Sequence, residues 1–321
     1  MAVIEHARIL AARERIADVL IKTPLLESRS LSEMTGGRLL LKAENLQRTG
    51  SFKARGALNR VRLAAESGGL VGVVTGSSGN HGQAVAYAAA RVGVPAHIVV
   101  PTDASAAKVE AARAFGAEVE FCGTTSRERL LRAAAVAEEL GYLMVPPYDD
   151  PDVMAGQGTV GLEILEQAPG LDTVLVPIGG GGLISGIASA IKALRPEVRV
   201  IGVEPEGACA AFLSRQAGRR VEIPAGLTVA DGLRTVIPGS LTFPVIEETV
   251  DELVTVPDAA IEAALRLIVS RAKTVVEPSG ACAAAYALLP SRPLSGRKAV
   301  AVLSGGNVDL VVLGRILARS A

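Results

Sequence analysis

Val176-Pro177-Ile178-Gly179-Gly180-Gly181-Gly182-Leu183-Ile184-Ser185-Gly186 sets four glycines between an apolar run that reads as a strand and an apolar segment that reads as a helix. Consecutive glycines are entropically costly, so the run asks for a reason. Bare backbone amides at a helix N-terminus make an anion site, because unpaired N–H groups and the helix dipole both favour negative charge. The expected role is a phosphate cradle; a plain flexible turn is the competing reading. No Gly-Lys-Ser or Gly-Lys-Thr ending follows, which argues against a nucleoside-triphosphate loop. A dinucleotide site stays open at this point. It wants an acidic residue roughly 20 residues on, and Glu204 falls in that region.

Working outward, strand-length runs recur at Arg38 to Lys42, Val71 to Thr75, His97 to Val100, Glu118 to Cys122, Leu143 to Val145, Thr173 to Pro177, Val198 to Val203 and Ala299 to Leu303. Helical patterns lie between them, at Ile4 to Ile21, Gln83 to Val92, Ser105 to Phe115, Arg127 to Leu140, Thr159 to Gln167, Leu183 to Leu194, Asp258 to Arg271 and Asp309 to Ala318. Strands alternating with helices imply βαβ units and parallel sheets. The expected class is therefore α/β, with two open sheets. The smaller takes residues 66–150, and the larger takes residues 1–65 and 151–321. Pro146-Pro147-Tyr148-Asp149-Asp150-Pro151 marks the return crossing. In open α/β sheets ligands gather at the carboxyl ends of strands.

The 321 residues are comfortable for two domains. Basic and acidic residues balance at 33 each, which disfavours a nucleic-acid partner. Aromatic residues are only 3%, too few for base-stacking platforms. Cys122, Cys209 and Cys282 are scattered and odd in number, so they form no disulfide framework and read as small buried residues. His6, His81 and His97 are equally scattered, and no structural zinc cluster is expected. Charges interrupt the first residues before any apolar run develops, and no apolar stretch reaches membrane-spanning length. The default location is the cytoplasm.

Three more segments carry chemistry. Gly50-Ser51-Phe52-Lys53-Ala54-Arg55-Gly56 puts a lysine at an expected helix start, with Ser51 as candidate N-cap. The helix dipole and partial burial would lower the Lys53 pKa and make it a better nucleophile. Alone, it reads equally as a surface lysine. Thr75-Gly76-Ser77-Ser78-Gly79-Asn80-His81-Gly82 crowds hydroxyl, amide and backbone donors at a turn, which suits a carboxylate or a ring hydroxyl. Val302-Leu303-Ser304-Gly305-Gly306-Asn307 is another strand followed by a polar, glycine-rich turn.

Together and in this order, these segments resemble the threonine/serine dehydratase and serine racemase branch of the fold-type II pyridoxal-phosphate enzymes, whose fold is like the tryptophan synthase β chain. Ala155-Gly156-Gln157-Gly158-Thr159, Ala230-Asp231-Gly232-Leu233 and Glu277-Pro278-Ser279-Gly280 match as well. The resemblance implies two mostly parallel three-layer αβα domains and the cofactor pyridoxal 5'-phosphate. By position it makes Lys53 the Schiff-base lysine and general base, with Phe52 packed against the cofactor. Asn80 would bond the ring hydroxyl. Gly179, Gly180, Gly181, Gly182 and the Leu183 amide would hold the phosphate. Ser304 would face the pyridine nitrogen, with Glu277 and Gly305 beside it. Ser77, Ser78, Gly79, Asn80 and His81 would bind the substrate carboxylate, assisted by Arg127.

The implied reaction is α,β-elimination from L-threonine or L-serine to a 2-oxo acid and ammonia. Racemisation is the alternative, because in racemases of the branch the serine matching Ser78 delivers a proton from the opposite face. Tyr148 stands where the usual dehydratase run has Phe, which opens the substrate to another β-hydroxy amino acid. Related enzymes hold Mg2+, Mn2+ or Ca2+ at positions matching Glu204 and the Ala208 carbonyl, but the acid expected two residues later is Ala210. A cysteine-synthase-like activity usually carries Thr-Ser-Gly-Asn-Thr-Gly where this chain has Ser77-Ser78-Gly79-Asn80-His81-Gly82. A sensor without turnover would not need the intact lysine. The expected assembly is a homodimer. The chain ends about 20 residues past Ser304, where a regulatory domain would need at least about 50, so feedback control by a C-terminal module is not expected.

Overall fold

The computed structural model of the protein describes residues 3–77, 79–104, 106–291 and 293–319. Its strands are β1 (Leu25–Glu27), β2 (Arg38–Ala43), β3 (Val73–Thr75), β4 (Ala96–Val100), β5 (Glu118–Phe121), β6 (Leu143–Met144), β7 (Thr173–Pro177), β8 (Arg199–Pro205), β9 (Glu252–Val256) and β10 (Lys298–Leu303). Its helices are α1 (His6–Ile16), α2 (Arg29–Thr35), α3 (Lys53–Glu66), α4 (Asn80–Val92), α5 (Ala106–Arg113), α6 (Ser126–Leu140), α7 (Pro151–Gln167), α8 (Gly182–Leu194), α9 (Ala210–Ala217), α10 (Thr242–Thr249), α11 (Asp258–Leu267), α12 (Pro278–Ala287) and α13 (Leu310–Ala318).

Two sheets form. The larger has the order β1-β2-β10-β7-β8-β9, and the smaller has β5-β4-β3-β6. Only the β1–β2 pair is antiparallel; the other pairs in both sheets are parallel. In β7 every residue is buried, as expected of a strand covered on both faces. One cluster of apolar side chains fills each face of the large sheet, and another lies against the small sheet.

Several boundaries differ from the sequence reading for identifiable reasons. Helix α7 starts at Pro151 rather than Thr159. Asp150 accepts from the Asp152 and Val153 amides, and proline suits the first helical position. Helix α11 passes at Ile268 into one π-turn that ends at Lys273 with φ 58°. Cys122 and Cys209 are half-exposed rather than buried, and only Cys282 is in the core. No described helix is long and apolar enough to cross a membrane.

One packing contact positions the site. Helices α3 and α7 meet through glycines: a Cβ on Gly156 would stand 2.7 Å from the Arg55 carbonyl, and one on Gly56 would collide with Gln157. The segment Ala155-Gly156-Gln157-Gly158-Thr159 is thus helix-packing surface, and it holds the start of α3 in place.

Candidate active site

Beyond β10 the chain continues into a bridge between Gly305 and Ser51, and the Phe52 amide donates to the Ser304 carbonyl at 3.1 Å. These bonds set Lys53, the first residue of α3, beside the carboxyl end of β10. They also overturn the expected Ser51 cap. Ser51 is extended (φ −161°, ψ 161°) because its backbone is committed to the bridge, and Phe52 takes the N-cap position with no side-chain cap. The Lys53 Nζ stands 5.1 Å from the centroid of the Phe52 ring and donates to the Pro147 carbonyl at 2.5 Å. Burial brings the Lys53 ammonium pKa down to about 8, with no opposing charge to offset it.

The second turn follows β3. Gly79 precedes Asn80, the first residue of α4, and as N-cap it supplies no side-chain cap. Ser77 lies on this turn, where a Cβ on Gly82 would collide with its carbonyl. Ser78 lies outside the described residues. Asn80 donates through Nδ2 to Glu277 Oε1 at 2.7 Å, and its Oδ1 accepts from Asn307 Nδ2 at 2.8 Å. His81 is buried, and its Nε2 meets the Val145 carbonyl at 2.9 Å. Burial first, then the Lys53 charge, pushes its pKa to about 3, so the ring is neutral at physiological pH. The His81 ring is thus held at Nε2 by the Val145 carbonyl, which follows β6, and its Nδ1 has no partner.

The third turn is the glycine run. Helix α8 opens at Gly182 after Gly181 (φ 97°), without a side-chain cap. Its first-turn amides have no intrahelical acceptor. Tyr148, expected near the substrate, and Asp149 and Thr242, missed in the sequence, brace the turn. The Tyr148 ring packs on Gly180, where any Cβ would collide with it. Asp149 accepts from the Ser240, Leu241 and Thr242 amides at 2.8 to 3.2 Å, and Thr242 Oγ1 donates to the Gly180 carbonyl at 2.6 Å. Burial raises the Tyr148 pKa, so its hydroxyl keeps its proton.

Ser304 and Glu277 are both buried, and Gly305 lies between Glu277 and Asn80. Leu183 is buried in the first turn of α8. Arg127 sits exposed on the first turn of α6, and among the described residues no bond joins it to the site. The cation expected at Glu204 and Ala208 is not assembled. Glu204 spends both carboxylate oxygens on the Ala211 and Phe212 amides, at 3.0 and 2.7 Å, and so caps α9. Among the described residues no group of three or more acidic, histidine or cysteine side chains is placed to hold a metal. A hard dication wants six to eight oxygens, and this donor set does not fit one.

The residues do fit a phosphorylated aromatic cofactor. Buried polar atoms without a partner are rare, yet Thr49 Oγ1 and Ser51 Oγ before Lys53, Thr75 Oγ1 at the end of β3 and His81 Nδ1 in the first turn of α4 lie without one. An uncapped glycine helix start supplies phosphate donors, and a lysine of lowered pKa supplies an amine for an aldehyde. These features define an α/β enzyme of the class that carries a phosphorylated aldehyde on lysine.

The comparisons agree. The family model described as pyridoxal-phosphate dependent enzyme matches residues 16–305, and the chain belongs to that family. It is 43% identical to an L-threonine ammonia-lyase of Thermotoga maritima, over 95% of this chain and 76% of that one. It is 42% identical to an L-threo-3-hydroxyaspartate ammonia-lyase of Saccharomyces cerevisiae, over 97% and 95%. The solved structure of maize serine racemase superposes with a TM-score of 0.94 at 41% identity, covering 98% of this chain and 97% of that one.

Proposed function

We propose that the chain is a pyridoxal-phosphate-dependent ammonia-lyase that converts L-threonine or L-serine to a 2-oxo acid and ammonia. The observation that carries this is the Lys53 amine, withdrawn from water without a counter-charge among the three cofactor turns. When bound, pyridoxal phosphate supplies the electron sink that acidifies the substrate Cα proton.

The protein's own residues do the rest. The Gly179–Gly182 turn and the Leu183 amide hold the phosphate, braced by Tyr148 and Thr242. Ser304 offers a neutral hydroxyl to the ring nitrogen, Phe52 packs on the ring, and Asn80 meets the ring hydroxyl with Glu277 and Gly305 behind it. The Ser77–His81 turn takes the substrate carboxylate. Lys53 Nζ is placed to take the Cα proton and to return it to the departing β-hydroxyl, which leaves as water; the enamine so formed hydrolyses to the 2-oxo acid and ammonia. No step uses a divalent cation. A homodimer in the cytoplasm completes the reading, in line with the prevalence of two-fold assemblies.

The likeness to serine racemases sustains a second reading, in which the main product is the D-amino acid. Incubating the holoenzyme with L-threonine, L-serine and L-threo-3-hydroxyaspartate, and measuring 2-oxo acid, ammonia and D-amino acid in one sample, decides between them. Ammonia and 2-oxo acid in equal amounts are expected. D-serine without 2-oxo acid would overturn the lyase reading.

A further inference from the structure

We propose that Asn307 is a positioning residue that fixes which end of the Asn80 side-chain amide faces the cofactor. The proposal rests on the reading that Asn80 meets the ring hydroxyl.

The orientation follows from groups that can act in only one sense. Asn307 Nδ2 faces the Thr49 carbonyl at 2.7 Å. A carbonyl only accepts, so the Asn307 group there is the NH2. The same NH2 faces Asn80 at 2.8 Å, so the Asn80 atom there is Oδ1. At the other end, Asn80 Nδ2 donates to Glu277 Oε1 at 2.7 Å, as an amide NH2 does to a carboxyl oxygen. Both ends agree. Turning the Asn80 amide over would set oxygen against oxygen at Glu277 and NH2 against NH2 at Asn307. Asn80 is thereby held as a donor, with a second Nδ2 hydrogen left for a ligand. Donation to the ring hydroxyl favours its ionised form.

The backbone is bent to make room for this chain of amides. Thr49 is one of two described non-glycine residues with positive φ, at 63°, and it supplies the carbonyl that anchors Asn307. Gly50 has φ 73°, and a Cβ there would collide with the Asn307 amide. A Cβ on Gly305 would collide with Glu277 Oε1 and stand 3.0 Å from Asn80 Nδ2. The Gly306 amide ties the two segments together through the Gly50 carbonyl at 2.9 Å. Strained backbone persists where the surroundings impose it, often for a functional end. Here one strained residue, Thr49, and two closely approached glycines, Gly50 and Gly305, border the Asn307–Asn80 pair.

The test is the absorbance spectrum of unreacted holoenzyme, recorded against pH. The ionised ring hydroxyl gives the long-wavelength cofactor band and the neutral one the short-wavelength band. Asn307→Ala frees Asn80 to turn over, and the ratio of long- to short-wavelength bands falls roughly three- to tenfold, the weight of one buried hydrogen bond. Asn307→Asp puts oxygen against Asn80 Oδ1, forces the turn-over and moves the ratio the same way. Asn80→Ala moves it at least as far. A purely structural brace would lower the unfolding temperature and leave the spectrum alone. An unchanged spectrum in Asn80→Ala would refute the underlying reading of Asn80. A shift in Asn80→Ala without one in either Asn307 variant would overturn the positioning role alone. Should Asn307→Ala fail to fold, the isosteric Asn307→Asp carries the same readout.

Discussion

Lys53 and Arg55 stand two residues apart on α3, and the protein treats them in opposite ways. Lys53 faces the site with an aromatic ring and one carbonyl for company. Arg55 is 2% exposed and fully paired. It donates twice to Glu44, at 2.8 and 2.9 Å, twice to Glu163, at 2.7 and 3.0 Å, and once to Thr159 Oγ1 at 3.0 Å. Lys42 completes the group, donating to Glu163 at 2.5 Å and to the Thr23 carbonyl at 2.7 Å. Two cations thus meet two carboxylates, joining β2, α3 and α7. Burial works against every charge in both places. At Arg55 the two carboxylates outweigh it and hold the guanidinium pKa above its ordinary value; at Glu44 the Arg55 charge outweighs it and holds the carboxyl below the usual range. At Lys53 nothing outweighs it, and the pKa falls to about 8. Burial with a partner gives structure, and burial without one gives reactivity.

The largest effect that would break this contrast is at Lys53 itself. Lys53→Ala should lower turnover by roughly 100- to 10,000-fold, the weight of a positioned base, and more once cofactor attachment is lost. Its unfolding temperature in the apo form should equal or exceed that of the parent, because an uncompensated buried cation has been removed. Retained turnover would end the reading of this lysine. Arg55→Met comes next. It leaves Glu44 and Glu163 with Lys42 as their only buried cation, and a broken buried pair costs about 3–5 kcal/mol. Denaturant unfolding measures it. A loss below about 1 kcal/mol would mean that the group behaves as a surface pair, and the contrast would fail. Combining Arg55→Met with Glu163→Gln should cost less than the sum of the two, since they share a network.

This contrast also marks how far the sequence could be read. The glycine run and Lys53 are legible because their chemistry is local: a strand, a turn and a helix start within a dozen residues. The pairing of Arg55 with Glu44 and Glu163 is not, since nothing local distinguishes a buried arginine from a solvated one. The bonds of Asn80 to Glu277 and Asn307 span 197 and 227 residues, and only the fold brings them together. Ser51 misled for the same reason. Serine before a helix is a good cap by local rules, but a long-range bridge to Gly305 took its backbone. Short elements such as β1, α2 and α10 carry too few periods to stand out. Asp149 looked like part of a crossing loop, and its three amide partners lie about the start of α10.

A smaller effect is the pH dependence that follows from the missing partner. The free amine of Lys53 forms as pH rises through about 8. Capture of pyridoxal phosphate by the apoenzyme, followed by absorbance, should rise about tenfold per pH unit below that point and level off above it. The stability of the apoprotein has a linked trend. An unfolded Lys53 keeps its proton up to the ordinary lysine value of 10.5. Between about 8 and 10.5 the unfolded state therefore binds more protons, and stability rises with pH across that window. Lys53→Ala should lack this rise. If it keeps the slope, the lowered pKa belongs to another group.

Glu204 offers the finest test, because it lies between the two extremes. It is buried like Arg55 and, among the described residues, lacks a counter-charge like Lys53; its recorded partners are the two amides that open α9. Two donated hydrogen bonds do not outweigh burial, and its pKa is raised to about 8. The sign is opposite to that of Lys53. From the ordinary carboxyl value of 4.5 up to about 8 the folded state binds the extra proton, so stability from this group is lost as pH rises through that window. With its pKa at about 8, the Glu204 carboxyl is largely uncharged near neutral pH, so Glu204→Gln exchanges one neutral group for another. It keeps an oxygen for one amide and weakens the other bond, and the unfolding free energy near neutral pH should stay within about 1 kcal/mol of the parent. The variant should also lose the downward slope towards pH 8. A cost of about 3 kcal/mol or more, as for a broken ion pair, would show that Glu204 has a cationic partner and belongs with Arg55.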